Sequence, residues 1–244
     1  MRRMLAVLVV VAAGCSGDAD APIPGAAARS PAGAAPPAGS PVVVELFQSQ
    51  GCSSCPPANA NVNALAGRPD ILALSFAVTY WDYLGWKDRF ARPEFTERQR
   101  AYARSGQSDG VYTPQVVING RRALVGASSA GLARAVKAEG SPRGGPAIER
   151  QGNAVLVGAA AATAPATVLI VTYDPRERKV PIRAGENSGK TLPHRNIVTD
   201  LRQAGQWRGR ALRVPLSPPS DPTLKTAVLI QQGEGGPIIA ARRL

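Results

Sequence analysis

Val42-Val43-Val44-Glu45-Leu46-Phe47-Gln48-Ser49-Gln50-Gly51-Cys52-Ser53-Ser54-Cys55-Pro56-Pro57 is the stretch that decides how this chain is read. The β-branched run from Val42 to Phe47 suits a buried strand, and it ends at Gly51, where the two cysteines begin. The Ala- and Asn-rich segment from Pro56 to Ala66 reads as a helix, since a first helical turn tolerates prolines. A strand thus feeds a helix through Cys52-Ser53-Ser54-Cys55. That position would put Cys52 at a helix N-terminus, where free N–H groups and the helix dipole favour an anion, with Cys55 one turn inside as the shielded partner.

Outward from this stretch, strand and helix signals alternate for a hundred residues. Ile71 to Val78 is a second continuous apolar strand candidate, followed by an aromatic loop from Tyr80 to Phe90. Glu94 to Arg104 gives a charged helix with Phe95 and Tyr102 as its apolar contacts. Gln115 to Ile118, Asn119-Gly120 and Arg121 to Val125 predict a hairpin with the dipeptide a type I′ turn prefers. A helix from Ser129 to Glu139 follows, N-capped by Ser128 and stopped by Gly140. Beyond the turn-rich junction at Ser141 to Pro146, short strands are predicted at 154–160, 167–173, 211–216 and 226–231. The expected fold is therefore an α/β domain over 41–140, with a central mixed sheet flanked by helices, and then a small all-β sandwich-like domain over 145–244.

Arg2-Arg3, an apolar run from Met4 to Val11 and Ala12-Ala13-Gly14 ahead of Cys15 have the layout of an export signal over residues 1–14. Small residues directly before a cysteine are similar to a bacterial lipobox, which makes Cys15 the expected site of lipidation. The competing reading is an ordinary signal peptide cleaved nearby. The Gly, Ala, Pro and Ser-rich remainder of residues 15–40 is expected to be a lipid-anchored flexible tether with a reach of roughly 80 Å at about 3.3 Å per residue. These features place the protein outside the cytoplasm, in the periplasm or at the cell surface, attached to a membrane by its lipid.

The net charge is +12. Its Arg and Lys residues are scattered, without a dense run, so they read as solvated faces and no nucleic-acid partner is expected. With Cys15 assigned to lipid, only Cys52 and Cys55 remain of the 3 cysteines, in a compartment that permits oxidation.

A redox site needs one thiol that ionises readily and a second close enough to resolve a mixed disulfide, and CxxC supplies both. The same spacing also suits zinc or copper, and it suits a purely structural cystine. A zinc site generally needs four ligands, and His194 is the only histidine, so no metal is assigned. A structural cystine stays open at this point.

Thr113-Pro114, 62 residues after Cys52, begins the strand before the Asn-Gly hairpin. Thr113-Pro114-Gln115-Val116-Val117-Ile118-Asn119-Gly120 resembles the segment that carries the cis-proline in the thioredoxin superfamily. The resemblance implies that the α/β domain is thioredoxin-like, that Pro114 is cis and faces the cysteines, and that the Thr113 backbone pairs with substrate.

A closer resemblance covers nearly the whole mature chain. Four segments are similar to the bacterial secreted proteins grouped as "domain of unknown function 1223". They are 44–57, Tyr80-Trp81-Asp82-Tyr83-Leu84-Gly85-Trp86-Lys87-Asp88, Tyr112-Thr113-Pro114-Gln115, and Gly185-Glu186-Asn187-Ser188-Gly189 followed by His194-Arg195-Asn196. Redox chemistry is what this resemblance implies; it supplies no substrate.

Around the cysteines, Glu45 is a possible proton acceptor for Cys55, against the alternative of a carboxylate paired with an Arg. Tyr80, Trp81 and Trp86 are candidate substrate contacts, against the alternative of a packed cap. Glu186, Asn187, His194 and Arg195 form a polar cluster suited to a small molecule or to completing a site between domains; His194 is expected to be solvated. The leading functional expectation is a thiol–disulfide oxidoreductase, with Cys52 nucleophilic, Cys55 resolving and Pro114 shaping the groove. It would act on exported proteins or small thiols with an unidentified redox partner, and no organic cofactor is implied. The alternatives are a non-catalytic binding or assembly lipoprotein with a structural cystine, and a copper carrier.

Overall fold

A computed structural model of the chain describes residues 39–244. The export signal, the lipidation at Cys15 and nearly all of the tether lie outside the described residues. The first half runs β1 (Val42–Gln48), α1 (Pro56–Leu65), β2 (Ile71–Ala77), α2 (Pro93–Arg104), β3 (Gln115–Ile118), β4 (Arg122–Leu124) and α3 (Ser129–Glu139). Strands then follow without further α-helix: β5 (Ile148–Gln151), β6 (Ala154–Val157), β7 (Ala166–Asp174), β8 (Arg178–Pro181), β9 (Thr191–His194), β10 (Ile197–Trp207), β11 (Leu212–Pro215), β12 (Lys225–Gln232) and β13 (Ile238–Arg243).

Eight of these strands make one mixed sheet in the order β13-β12-β7-β10-β2-β1-β3-β4. β1 and β2 pair in parallel from Val42↔Ile71 to Gln48↔Ala77. Both are buried along their whole length and mostly apolar because both of their faces are covered. Val42, Val44 and Leu46 pack with Ala58 and Val62 of α1 and with Leu132, Ala135 and Val136 of α3. Val43, Phe47, Leu72, Leu74 and Phe76 point the other way, onto Phe95 and Tyr102 of α2. The β3–β4 turn has Asn119 at φ 49° and Gly120 at φ 62°, the pair of left-handed residues a type I′ hairpin needs. A Cβ on Gly120 would run into the Gly236 carbonyl.

The expected helix-flanked, thioredoxin-like α/β domain followed by a β sandwich is corrected by this sheet. β10 joins β2 through Ile197↔Ser75, so the strands of the second half extend the sheet of the first. Asn196, just before β10, secures the junction: its carbonyl accepts from the Ser75 amide at 2.9 Å and its side chain donates to the Ala73 carbonyl at 2.8 Å. Among the described residues the fold is mostly β, with three α-helices and one 3-10 turn at Asp82–Leu84 against thirteen strands.

What hid this was β10, the longest strand and the centre of the joined sheet. Register shifts at Val198/Asp200 and Gln203/Gly205 break its alternation, so no period of two runs along Ile197 to Trp207. β5, β6 and β11 form a separate three-stranded sheet whose Ile148, Val155, Val157 and Val214 cover Val168, Val228 and Trp207.

Candidate functional site around the Cys52–Cys55 disulfide

Cys52 and Cys55 form a disulfide with a Cα–Cα distance of 5.5 Å. Its position follows from the elements on either side. β1 ends at Gln48, the Cys55 amide donates back to the Cys52 carbonyl at 3.2 Å, and Cys55 caps α1. Cys52 and Cys55 are 0% and 2% exposed, while Ser53 and Ser54 between them face solvent. The Ser54 hydroxyl lies 3.4 Å from Cys52 Sγ and donates to the Thr113 carbonyl at 3.4 Å. The Thr113–Pro114 peptide is cis and sits beside this turn.

The helix head offers fewer anion donors than the sequence suggested. Pro56 and Pro57 occupy its first two positions and have no N–H to give. The Ser53 amide is already taken by Glu186 Oε2 at 3.0 Å.

Glu186 arrives on the loop of the β8–β9 hairpin. The hairpin packs on α1 through Asn59 and Asn63, whose amides donate to the Pro193 carbonyl at 2.7 and 2.9 Å. The Arg195 amide donates to Asn63 Oδ1 at 3.0 Å. From the same loop, the buried Asn187 amide donates to the carbonyls of Gln50 at 2.9 Å and Cys52 at 2.8 Å. Lys190 donates to Asn187 Oδ1 at 2.9 Å. Hydrogen bonds from Ser53 hold the Glu186 carboxyl below its ordinary range.

His194 ends this hairpin and is buried, 1% exposed, not solvated as expected. Its Nδ1 accepts from Asn59 Nδ2 at 3.3 Å, and its ring meets Phe90 edge-on at 6.1 Å. Burial, aided by the charge of Arg89, pushes it down to about 4.

The aromatic loop supports the turn before Cys52. Trp86 Nε1 donates to Gln50 Oε1 at 2.9 Å, Trp81 lies against Gly51, and Tyr80 donates to Gln99 Oε1 at 3.1 Å. Beneath them Asp88 accepts from the Gln50 and Phe90 amides, each at 2.9 Å. Burial raises its carboxyl to about 6. Tyr80, Trp81 and Trp86 thus touch protein in this structure, and Tyr83 is the loop's outward ring, 81% exposed.

Glu45 is not at the disulfide. Alternation along β1 turns it away from α1 to the α2 face. There it accepts from Arg98 Nε at 2.7 Å and Arg98 Nη2 at 3.1 Å, and from the Tyr102 hydroxyl. Gln231 completes the buried network by accepting from Arg98 Nη1 at 3.0 Å. Burial, chiefly, raises Tyr102 well above the usual phenol range. Among the described residues no group of three or more His, Cys, Asp or Glu side chains is placed to hold a metal ion, and no helix is long and apolar enough to cross a membrane.

Sequence reasoning placed Cys52, Cys55, Thr113 and Pro114 in one site and underrated Glu186 and Asn187. Their signal was the Gly185 to Gly189 segment, recognised as a family motif and read as a polar cluster with no assigned contact.

A mostly β chain with one large mixed sheet and a CxxC disulfide under a hairpin is the class defined here. A family model described as "Protein of unknown function (DUF1223)" matches residues 43–231, and the chain belongs to that family. It is similar to the crystal structure of a protein from Agrobacterium tumefaciens, with 35% identity and a TM-score of 0.67 over 83% of this chain and 93% of that one. It also shares its fold with HBP35 of Porphyromonas gingivalis, with a TM-score of 0.58 and 12% identity over 84% of this chain and 75% of that one. No curated protein matches it.

Proposed function

We propose that the protein is an extracytoplasmic thiol–disulfide oxidoreductase that exchanges electrons through Cys52 and Cys55 with exported proteins or small thiols, held at a membrane by a lipid on Cys15. The observation that carries this reading is the placement of the disulfide. It joins residues three apart at the head of a helix already tied down by Asn59 and Asn63, so it links no distant parts of the chain. Chain-entropy arguments give so small a loop about 2 kcal/mol, at the low end of what a structural cystine contributes. Dithiols at this spacing instead suit exchange, in which Cys52 attacks and Cys55 resolves the mixed disulfide. In the oxidised protein both cysteines are buried, so exchange calls for the turn to open, with the β8–β9 loop that bonds the Ser53 amide and the Cys52 carbonyl as the part that yields.

That shelter also favours a second reading, a binding or assembly protein with an inert structural cystine, since a buried disulfide resists attack. Trapping separates the two. A Cys55→Ser variant of the full chain in its native host should accumulate mixed disulfides through Cys52, identifiable by mass. A trap that stays empty favours the inert cystine.

A further inference from the structure

The attacking species in disulfide exchange is a thiolate, and a helix head ordinarily supports one with its unpaired N–H groups. In this protein several of those groups are missing or occupied. Pro56 and Pro57 have none, the Cys55 amide is spent on the Cys52 carbonyl, and the Ser53 amide, next in sequence to Cys52, is held by the Glu186 carboxylate at 3.0 Å. Among the described residues no cation forms an ion pair with Glu186. Lys190 of the same loop is turned to Asn187 Oδ1, and Asp88, the other carboxyl near the turn, is engaged with the Gln50 amide. Cys52 Sγ has the Ser54 hydroxyl as a hydrogen-bonding neighbour at 3.4 Å, and that hydroxyl also serves the Thr113 carbonyl.

We propose that Glu186 is a positioning residue that sets the direction of exchange: by occupying the Ser53 amide with a negative charge it disfavours the Cys52 thiolate and places the pair at the electron-donating end. This rests on the reading of Cys52–Cys55 as a redox pair and deepens it. The reduced pair attacks a disulfide of an exported protein or a small molecule. A bond forms between Cys52 Sγ and one substrate sulfur as the substrate S–S bond breaks, and the departing thiolate takes up a proton. Cys55 then loses its proton and attacks Cys52 Sγ, which closes the Cys52–Cys55 bond and releases the second substrate thiol. Two electrons and two protons pass to the substrate, and a dithiol reductant restores the pair.

The test equilibrates the full chain, as wild type and as Glu186→Gln, with dithiothreitol redox buffers, then alkylates free thiols and reads the dithiol fraction by mass. Glu186→Gln should shift the equilibrium toward the dithiol by about two- to five-fold at low salt, the size of a charge effect at an exposed helix end. High salt should shrink the difference, because Glu186 is exposed. Pro56→Ala, which returns an N–H to the same helix head, should shift it in the same direction. A Glu186→Gln equilibrium that is unchanged, or shifted toward the disulfide, while the wild type exchanges normally would overturn the role of Glu186 and leave the redox reading standing. A wild-type pair that never exchanges would overturn both.

Discussion

Asn187 donates from its side chain to the carbonyl of Cys52 at 2.8 Å across 135 residues of sequence, with a second bond to the Gln50 carbonyl at 2.9 Å. One buried amide thus clasps both sides of Gly51 and fixes the hairpin loop over the turn that carries the disulfide.

Removing that clasp should loosen the site. Asn187→Ala leaves the Gln50 carbonyl without a donor and the Cys52 carbonyl with the Cys55 amide alone, a cost of about 1–3 kcal/mol for the unsatisfied group. The urea midpoint should fall with little change in slope, and dithiothreitol should reduce Cys52–Cys55 faster than in the wild type. Unchanged reduction kinetics would show that the loop does not limit access.

Glu45 and Arg98 test a different part of the fold. Arg98→Met leaves the Glu45 carboxylate, 0% exposed, without its cation, and should cost about 3–5 kcal/mol. Adding Glu45→Gln should recover much of the loss, seen as a coupling energy in a double-mutant cycle. Because Glu45 faces α2, folded Glu45→Gln should keep the wild-type pH profile of disulfide exchange; a shifted profile would return Glu45 to the site as a proton acceptor.

Stability against pH carries two opposed contributions. His194, lowered to about 4 from an ordinary value near 6.5, holds fewer protons folded than unfolded between those values, so its contribution is lost as pH falls through that window. Asp88, raised from 3.8 to about 6, holds more protons folded, so its contribution is lost as pH rises between those values. Each amounts to about 3 kcal/mol at most, and between pH 4 and 6 they nearly cancel. Asp88→Asn should expose the His194 slope as a clear loss of denaturant stability on acidification. A flat profile in that variant would contradict the burial of His194.

Much of this architecture was legible where burial leaves a local trace. β1 and β2 showed as mostly apolar runs because both faces are covered, and Asn119-Gly120 announced its turn through two positive φ angles. Glu45 stood out in an apolar strand, and its partner was within reach of the same logic: Phe95, Arg98 and Tyr102 fall on one helical face at spacings of three and four. β10 was not legible, because its bulges erase the alternation that marks a strand. Nor was the clasp, since Asn187 bonds backbone carbonyls, and a carbonyl has no side-chain signature to point toward it.

The claim that Cys52 and Cys55 exchange electrons is tested most directly by the reduction potential of the wild-type disulfide in dithiothreitol buffers. Reversible reduction at a potential above about −300 mV, in the range of working oxidoreductases, is the predicted result. A pair that stays oxidised to potentials far below that value, and that reduces no disulfide substrate, would contradict it.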